Sequence, residues 1–123
     1  MKYVIITGSS GLVGSETSVF FGNKNFKVLG IDNDSRSYFF GKSASTKKMT
    51  KNLENNIKNF KSYNIDIRNI KKLENIFKKY KNKIKCIIHC AAQPSHDWAS
   101  KEPLTDFSIN ANGTLNLLYL TNK

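Results

Sequence analysis

Tyr3-Val4-Ile5-Ile6-Thr7 runs directly into Gly8-Ser9-Ser10-Gly11-Leu12-Val13-Gly14, an apolar β-rich stretch followed by glycines at every third position. Residues 2–7 are nearly all apolar and stop at Gly8, as a strand covered on both faces does. From Leu12 the spacing turns helical, with Val13, Thr17, Phe20 and Phe21 on one side, and Gly22-Asn23 closes the helix. Strand, G-x-x-G-x-x-G and helix, in that order, form the context in which a glycine loop receives a diphosphate. Gly8 permits the tight turn, Gly11 leaves the backbone open to the anion, and Gly14 lets the helix lie close to the sheet. Exposed N–H groups and the positive end of the helix supply the attraction.

The same alternation continues along the chain. Phe26 to Ile31 reads as a second strand stopping at Asp32, and residues 33–46, rich in Ser, Asn, Asp and Gly, read as a loop. A polar helix is expected over 47–58 and a third strand over Phe60 to Ile65, ending at Asp66. Asn69 caps a helix with Ile70, Leu73, Ile76, Phe77 and Tyr80 on one face. Ile84 to Cys90 is a fourth strand, 91–102 a loop, and Pro103 the first turn of a helix striped by Leu104, Phe107, Ala111, Leu115 and Leu118. The fold class is therefore α/β, with about four parallel strands, flanking helices and right-handed crossovers. The expected strand order, 3-2-1-4, leaves the fourth strand an open edge.

Asp32 stands 21 residues after Gly11, at the end of the second strand. A carboxylate there accepts from the adenosine ribose hydroxyls and repels a 2′-phosphate, which favours NAD over NADP. Arg36, four residues on, offers a charge that accommodates a phosphate. Asp66, ending the third strand, has the geometry to accept from an adenine amino group, although a strand-end Asp is also an ordinary turn residue.

Composition excludes several classes. The 123 residues are 39% hydrophobic, enough for one modest core, and no run approaches the roughly 18 apolar residues of a membrane span. The N-terminus lacks the apolar segment and cleavage site of a signal peptide, so a cytoplasmic, membrane-free protein is expected. The net charge is +11, but Arg36 and Arg68 are the only arginines among 20 basic residues. The lysines crowd 47–85, on segments that read as exposed helix and loop, so a solvated face is expected rather than a nucleic-acid groove. Cys86 and Cys90 share a strand face and read as buried reduced thiols. His89 reads as a satisfied strand-end histidine, and no metal site is expected.

With these residues assembled, the chain resembles the extended short-chain dehydrogenase/reductases, the NAD-dependent epimerase/dehydratase family. The likeness is carried by residues 7–14, Asp32-Asn33, Asp66-Ile67, His89-Cys90-Ala91-Ala92 and Asn110 to Leu118. Tyr38-Phe39-Phe40-Gly41 and Ala91 to Ala99 look like a narrower subgroup, similar to CDP-paratose 2-epimerase. The resemblance implies the N-terminal half of a Rossmann domain spanning 1–123, with NAD as cofactor. It implies Gly8, Ser10, Gly11, Leu12, Val13 and Gly14 at the pyrophosphate. Asp32 and Asn33 would hold the adenosine ribose, with Arg36 beside them, and Asp66 with Ile67 the adenine. Ala91, Ala92 and Gln93 would stand near the nicotinamide ribose, with Asn110 beneath the cofactor. Gln93, His96 and Trp98 would lie nearest a nucleotide-sugar substrate, a CDP-linked one by the narrower likeness.

The family's catalytic Ser or Thr and Tyr-x-x-x-Lys follow a fifth strand. The chain ends at Lys123 before such a strand, so no catalytic residue is expected in it, and a longer, homo-oligomeric parent enzyme is. Tyr38 to Lys42 matches the motif but falls on the adenosine side, a coincidence of spacing. A dehydratase or reductase, or a non-catalytic dinucleotide-binding regulator, would present the same residues.

Overall fold

The computed structural model describes all of residues 1–123. Four strands, β1 (Tyr3–Thr7), β2 (Lys27–Ile31), β3 (Phe60–Tyr63) and β4 (Ile84–His89), form one parallel sheet in the order β3-β2-β1-β4. Along β1 and β2 alternate side chains enter two separate cores. Val4, Ile6 and Val28 join Leu53, Ile57 and Phe60, while Ile5, Leu29 and Ile31 join Leu73, Ile76, Leu117 and Leu120. The central strands are thus covered on both faces, which is why they read as continuous apolar runs.

α1 (Leu12–Gly22) packs differently from its apolar pattern. Val13 and Phe20 are exposed, and the buried residues are Gly14, Ser15 and Ser18. Small residues win because the helix lies against the glycine loop itself. A Cβ on Gly14 would overlap the carbonyl oxygen of Gly8. The buried hydroxyls find partners in the helix backbone, Ser18 Oγ at 2.8 Å from Gly14 O and Ser15 Oγ at 3.2 Å from Leu12 O.

The segment 33–46 is not a plain loop. It holds α2 (Ser35–Phe40) and a 3-10 turn (Lys42–Ala44), followed by α3 (Lys47–Asn56). Phe39 is 6% exposed and gives this short helix something to bury. The segment 91–102 likewise contains α5 (His96–Lys101), started by Ser95, whose Oγ accepts from Trp98 N–H at 3.2 Å. The two short helices hold each other: Trp98 Nε1 donates to Phe39 O at 2.7 Å, and the Trp98 and Phe39 rings meet at 5.8 Å. Neither would persist alone.

α4 (Ile70–Tyr80) is capped by Asn69, which accepts from Lys72 N–H at 3.2 Å. The last helical stretch is α6 (Pro103–Phe107), a π-helical turn (Ser108–Asn112) and α7 (Gly113–Asn122). Its packed side is Ile109, Gly113, Leu117 and Leu120. The expected stripe of Leu104, Phe107, Leu115 and Leu118 faces outward instead. The packed side also has helical spacing, and it is the side on which Gly113 allows close approach: a Cβ there would lie 2.5 Å from Ile67 Cδ1. No helix is long and apolar enough to cross a membrane.

β4 lies at the sheet edge, and its faces are only partly covered. Cys86 is consequently exposed and Cys90, just past the strand, half-buried, so neither is the buried thiol that the apolar run suggested.

Ser9 is fully buried, and its Oγ is the one buried side-chain polar atom without a partner. An unmet hydroxyl costs about 1–3 kcal/mol relative to its hydrated state. Ser9→Ala is expected to stabilise the chain by about 1 kcal/mol, raising Tm by about 4 °C. Calorimetry showing a lower Tm would mean that Ser9 Oγ has a partner.

Candidate functional site

A cleft of about 240 Å³ opens at the carboxyl ends of the strands, where open α/β sheets receive ligands. Its floor is the loop from β1 to α1, with Gly8, Gly11, Leu12, Val13 and Gly14 in the lining. Ile31, Asp32 and Asn33 form one side, with Ser35, Arg36 and Thr46 beyond them. Ile65, Asp66 and Ile67 form the other side, and Cys90, Ala91, Ala92, Pro94 and Ile109 close it.

Gly8 has φ +66°, and a Cβ there would lie 2.8 Å from Ala91 N, so both conformation and space require glycine. Gly11 differs. Its φ of −78° and ψ of −178° suit any residue, and a Cβ would meet only Gly8 O, at 3.4 Å. Neither backbone nor packing explains the missing side chain; the space beside it belongs to the cleft. Gly11 is also the N-cap of α1, where no side chain caps the helix and no acidic residue stands in the first turn. The leading N–H groups of α1 are therefore left for a partner from outside the chain. This cradle fits the diphosphate of the NAD that the resemblance implies.

Asp32 is pinned rather than free. Oδ2 accepts from Ser10 N–H at 3.1 Å and Oδ1 from Asp34 N–H at 2.7 Å, with Thr46 Oγ1 at 3.4 Å. A carboxylate has about four acceptor sites, so capacity remains for ribose hydroxyls. Asp34, in the left-handed region at φ 58°, organises the segment after it. Burial raises its pKa, but hydrogen bonds from Ser45, Thr46 and Ser37 outweigh that and hold it below the usual carboxylate value. Arg36 lines the cleft while its guanidinium stacks over Phe40 at 5.0 Å.

Several expected site residues stand elsewhere. Ser10 is buried, its N–H given to Asp32 and its hydroxyl paired with Thr50 Oγ1 on α3, so it faces away from the cleft. Asp66 lines the cleft, but Arg68 holds it: Nε reaches Oδ1 at 3.0 Å and Nη2 reaches Oδ2 at 2.6 Å. Burial pushes the Asp66 pKa up, and the Arg68 bonds more than reverse that shift. Arg68 Nη1 also donates to Ser108 Oγ at 3.2 Å, tying this turn to the π turn. Asp-x-Arg was visible in the sequence, but the pairing depends on side-chain geometry.

Gln93 is 9% exposed; its Nε2 donates to Ser95 O at 2.7 Å and Asp106 Oδ1 at 2.9 Å. Asn110 Oδ1 accepts from Gln93 N–H at 2.9 Å, so Asn110 braces the turn after β4 and does not itself line the cleft. Trp98 packs on Phe39, and His96 is exposed at the start of α5. Gln93, His96 and Trp98 are therefore not gathered on the cleft; Pro94 is the residue of that segment that lines it. Ser35 and Thr46 escaped the sequence reading because 33–46 looked like irregular loop. Thr46 announced itself only as the residue preceding a helix.

A family model described as NAD dependent epimerase/dehydratase family matches residues 4–123. UDP-glucuronate 4-epimerase of Thermodesulfobacterium geofontis is 34% identical over 120 residues, 98% of this chain and 35% of that protein. CDP-paratose 2-epimerase of Salmonella typhi is 32% identical over 117 residues, 94% of this chain and 31% of that protein. Among solved structures, UDP-glucose 4-epimerase of Thermus thermophilus in complex with NAD superposes with TM-score 0.72 at 27% identity, over 96% of this chain and 33% of that one. UDP-glucose 4-epimerase from Stenotrophomonas maltophila, with bound NAD, gives TM-score 0.80 at 21% identity, over 99% and 34%. The chain spans about a third of the length of the curated UDP-glucuronate and CDP-paratose epimerases it matches.

Proposed function

The chain belongs to the NAD dependent epimerase/dehydratase family, and on that premise we propose that it is the cofactor-holding portion of an NAD-dependent nucleotide-sugar epimerase. The observation that carries the reading is Gly11: an unstrained glycine whose side-chain space is cleft, at the head of an uncapped helix. The leading N–H groups of α1 hold the diphosphate, and Asp32 with Asn33 receives the adenosine ribose. Ile67 stands at the adenine, and Asp66, charged and oriented by Arg68, offers its edge there. Ala91 and Ala92, with no polar side chain, bound the side toward the nicotinamide ribose.

When bound, NAD supplies a reversible hydride acceptor for a sugar carbon. Residues 1–123 hold and orient that group; proton transfer at the sugar is assigned to no residue among them. The substrate class is a nucleotide sugar, in a homo-oligomeric cytoplasmic enzyme. The CDP-linked sugar of the narrower likeness is the finer reading. The segments carrying that likeness meet in the Trp98–Phe39 contact, so they support it through a shared local fold rather than through substrate contacts.

The test is a calorimetric titration with NAD and NADP. NAD should bind more tightly, because a 2′-phosphate would meet the Asp32 carboxylate. Asp32→Ala should narrow the gap by roughly tenfold, the loss of one or two charge-assisted hydrogen bonds. Equal affinities in the unmodified chain would remove the assigned role of Asp32. No binding of either would remove the reading itself.

A further inference from the structure

Thr7 is the last residue of β1 and fully buried. Its Oγ1 lies 3.1 Å from Cys90 N, 3.1 Å from Ala91 N and 2.6 Å from His89 Nδ1. A hydroxyl has one proton and two acceptor sites. Both backbone N–H groups donate and fill the acceptor sites, so the single hydroxyl proton points to His89 Nδ1. That nitrogen must then be the acceptor, and the ring proton sits on Nε2. Nε2 lies 2.9 Å from Thr114 Oγ1, whose own proton goes to Asn110 O at 2.7 Å. Every bond in the chain from Thr7 to Asn110 thus has one direction, and the network accepts only one of the three forms of imidazole.

A second proton on His89 would sit on Nδ1 and face an oxygen with no free lone pair. Thr7 Oγ1 would have to release Cys90 N–H, which also reaches Thr7 O at 3.1 Å, or Ala91 N–H, which has no second acceptor. Those two residues begin the turn that presses on the glycine loop, with Ala91 N and Cys90 C at 2.8 and 2.9 Å from where a Gly8 Cβ would be. We propose that neutral His89, in its Nε2–H form, is a positioning residue that holds the Cys90–Ala92 turn against Gly8, and that its protonation loosens this wall of the cleft.

The surroundings agree. Thr7 on β1 and Thr114 on α7 face the ring from either side, and neither is charged. The groove along β4 that His89 edges carries Glu74 and Lys78 from α4, Lys81, Lys85, and Lys123 at the end of α7. Glu74 is paired with Lys78 at 3.6 Å and Lys123 at 3.1 Å. Glu74, the carboxylate of that groove, is thus engaged by two lysines, and partial burial of the ring of His89, a residue exposed at the sheet edge, lowers its pKa from 6.5. The folded state therefore binds fewer protons than the unfolded state between its lowered pKa and 6.5. The stabilisation is complete above 6.5 and is lost as pH falls through the folded value.

The chain has two histidines, so long-range proton–nitrogen-15 spectra of the full chain resolve His89, whose two ring nitrogens both have partners, from His96. At pH 7.5 His89 is expected as a single Nε2–H tautomer that titrates below the usual histidine value of 6.5. A tautomer mixture, or a proton on Nδ1, would overturn the inference. Urea unfolding between pH 7.5 and 5 should show stability falling in the unmodified chain. His89→Asn keeps an acceptor for Thr7 and does not titrate, so its profile should be flatter; a profile of unchanged slope would count against us. If His89→Asn fails to fold, the spectrum of the unmodified chain decides. A third arm rests on the proposed function: NAD affinity should weaken about fivefold on acidification, roughly one backbone hydrogen bond, and less in His89→Asn. Absence of NAD binding at pH 7.5 would sink the cofactor reading, while the tautomer and unfolding arms would still decide the role of His89.

Discussion

Alanine at position 14 is expected to disrupt the loop and the helix together. Helix propensity alone would favour it over glycine by about 1 kcal/mol. Against this, its Cβ would overlap Gly8 O and crowd Gly8 C and Ser9 Cα at 2.7 and 2.9 Å. These are backbone atoms, with no rotamer to turn aside. Gly8 is itself fixed by its N–H to Ile31 O at 2.7 Å and by the Ala91 turn behind it. Relief therefore requires lifting α1 off the loop, which uncovers Val4 and Ile6. The cost should exceed about 3 kcal/mol, at the upper end of overpacking effects. Urea denaturation is the measurement, and a loss below 1 kcal/mol would show that α1 shifts without resistance.

Valine at position 11 should do the opposite, leaving stability nearly intact and abolishing dinucleotide binding. The backbone there is extended, which a β-branched residue favours. Its Cβ clears Gly8 O, and as an N-cap valine is worse than glycine by less than about 1 kcal/mol. The two γ carbons would occupy the cleft in front of the first N–H groups of α1. An affinity loss of more than about a hundredfold is expected, corresponding to about 2.7 kcal/mol. Calorimetry with NAD, alongside a thermal melt, separates the outcomes. Binding within threefold of the unmodified chain, with an unchanged melt, would refute the placement of the diphosphate at Gly11.

These two glycines show what the sequence made legible. Periodicity and spacing located all four strands, the loop between β1 and α1, the Asn69 cap and Asp32, because each is set by residues close in the chain. α2 and α5 were not legible. Each is six residues long, and the bond from Trp98 to Phe39 that stabilises them joins positions 59 apart. The buried face of α1 was misjudged because close backbone approach selects Gly14, Ser15 and Ser18 over the larger apolar residues. Cys86 looked buried because an apolar run does not say whether its strand is central or at an edge. The sites of Asp66, Gln93 and Asn110 were foreseen as positions, but their side chains were already committed to Arg68, Asp106 and the Gln93 amide.

The register of the sheet also dictates an order of assembly. β1 pairs with β2 through Tyr3 and Lys27, across a short intervening helix, and β2 pairs with β3 through Val28 and Phe60. The pairing of Val4 with Cys86 closes by far the longest loop of the three. Loop-closure entropy delays such a contact until the shorter ones are in place. Gly8 gains its backing from Ala91 only when β4 docks. The glycine loop is therefore translated before β4 and shaped only when β4 docks, so a chain still emerging from the ribosome carries the whole fingerprint before it has this wall of the cleft. Cofactor capture then reports that β4 has arrived.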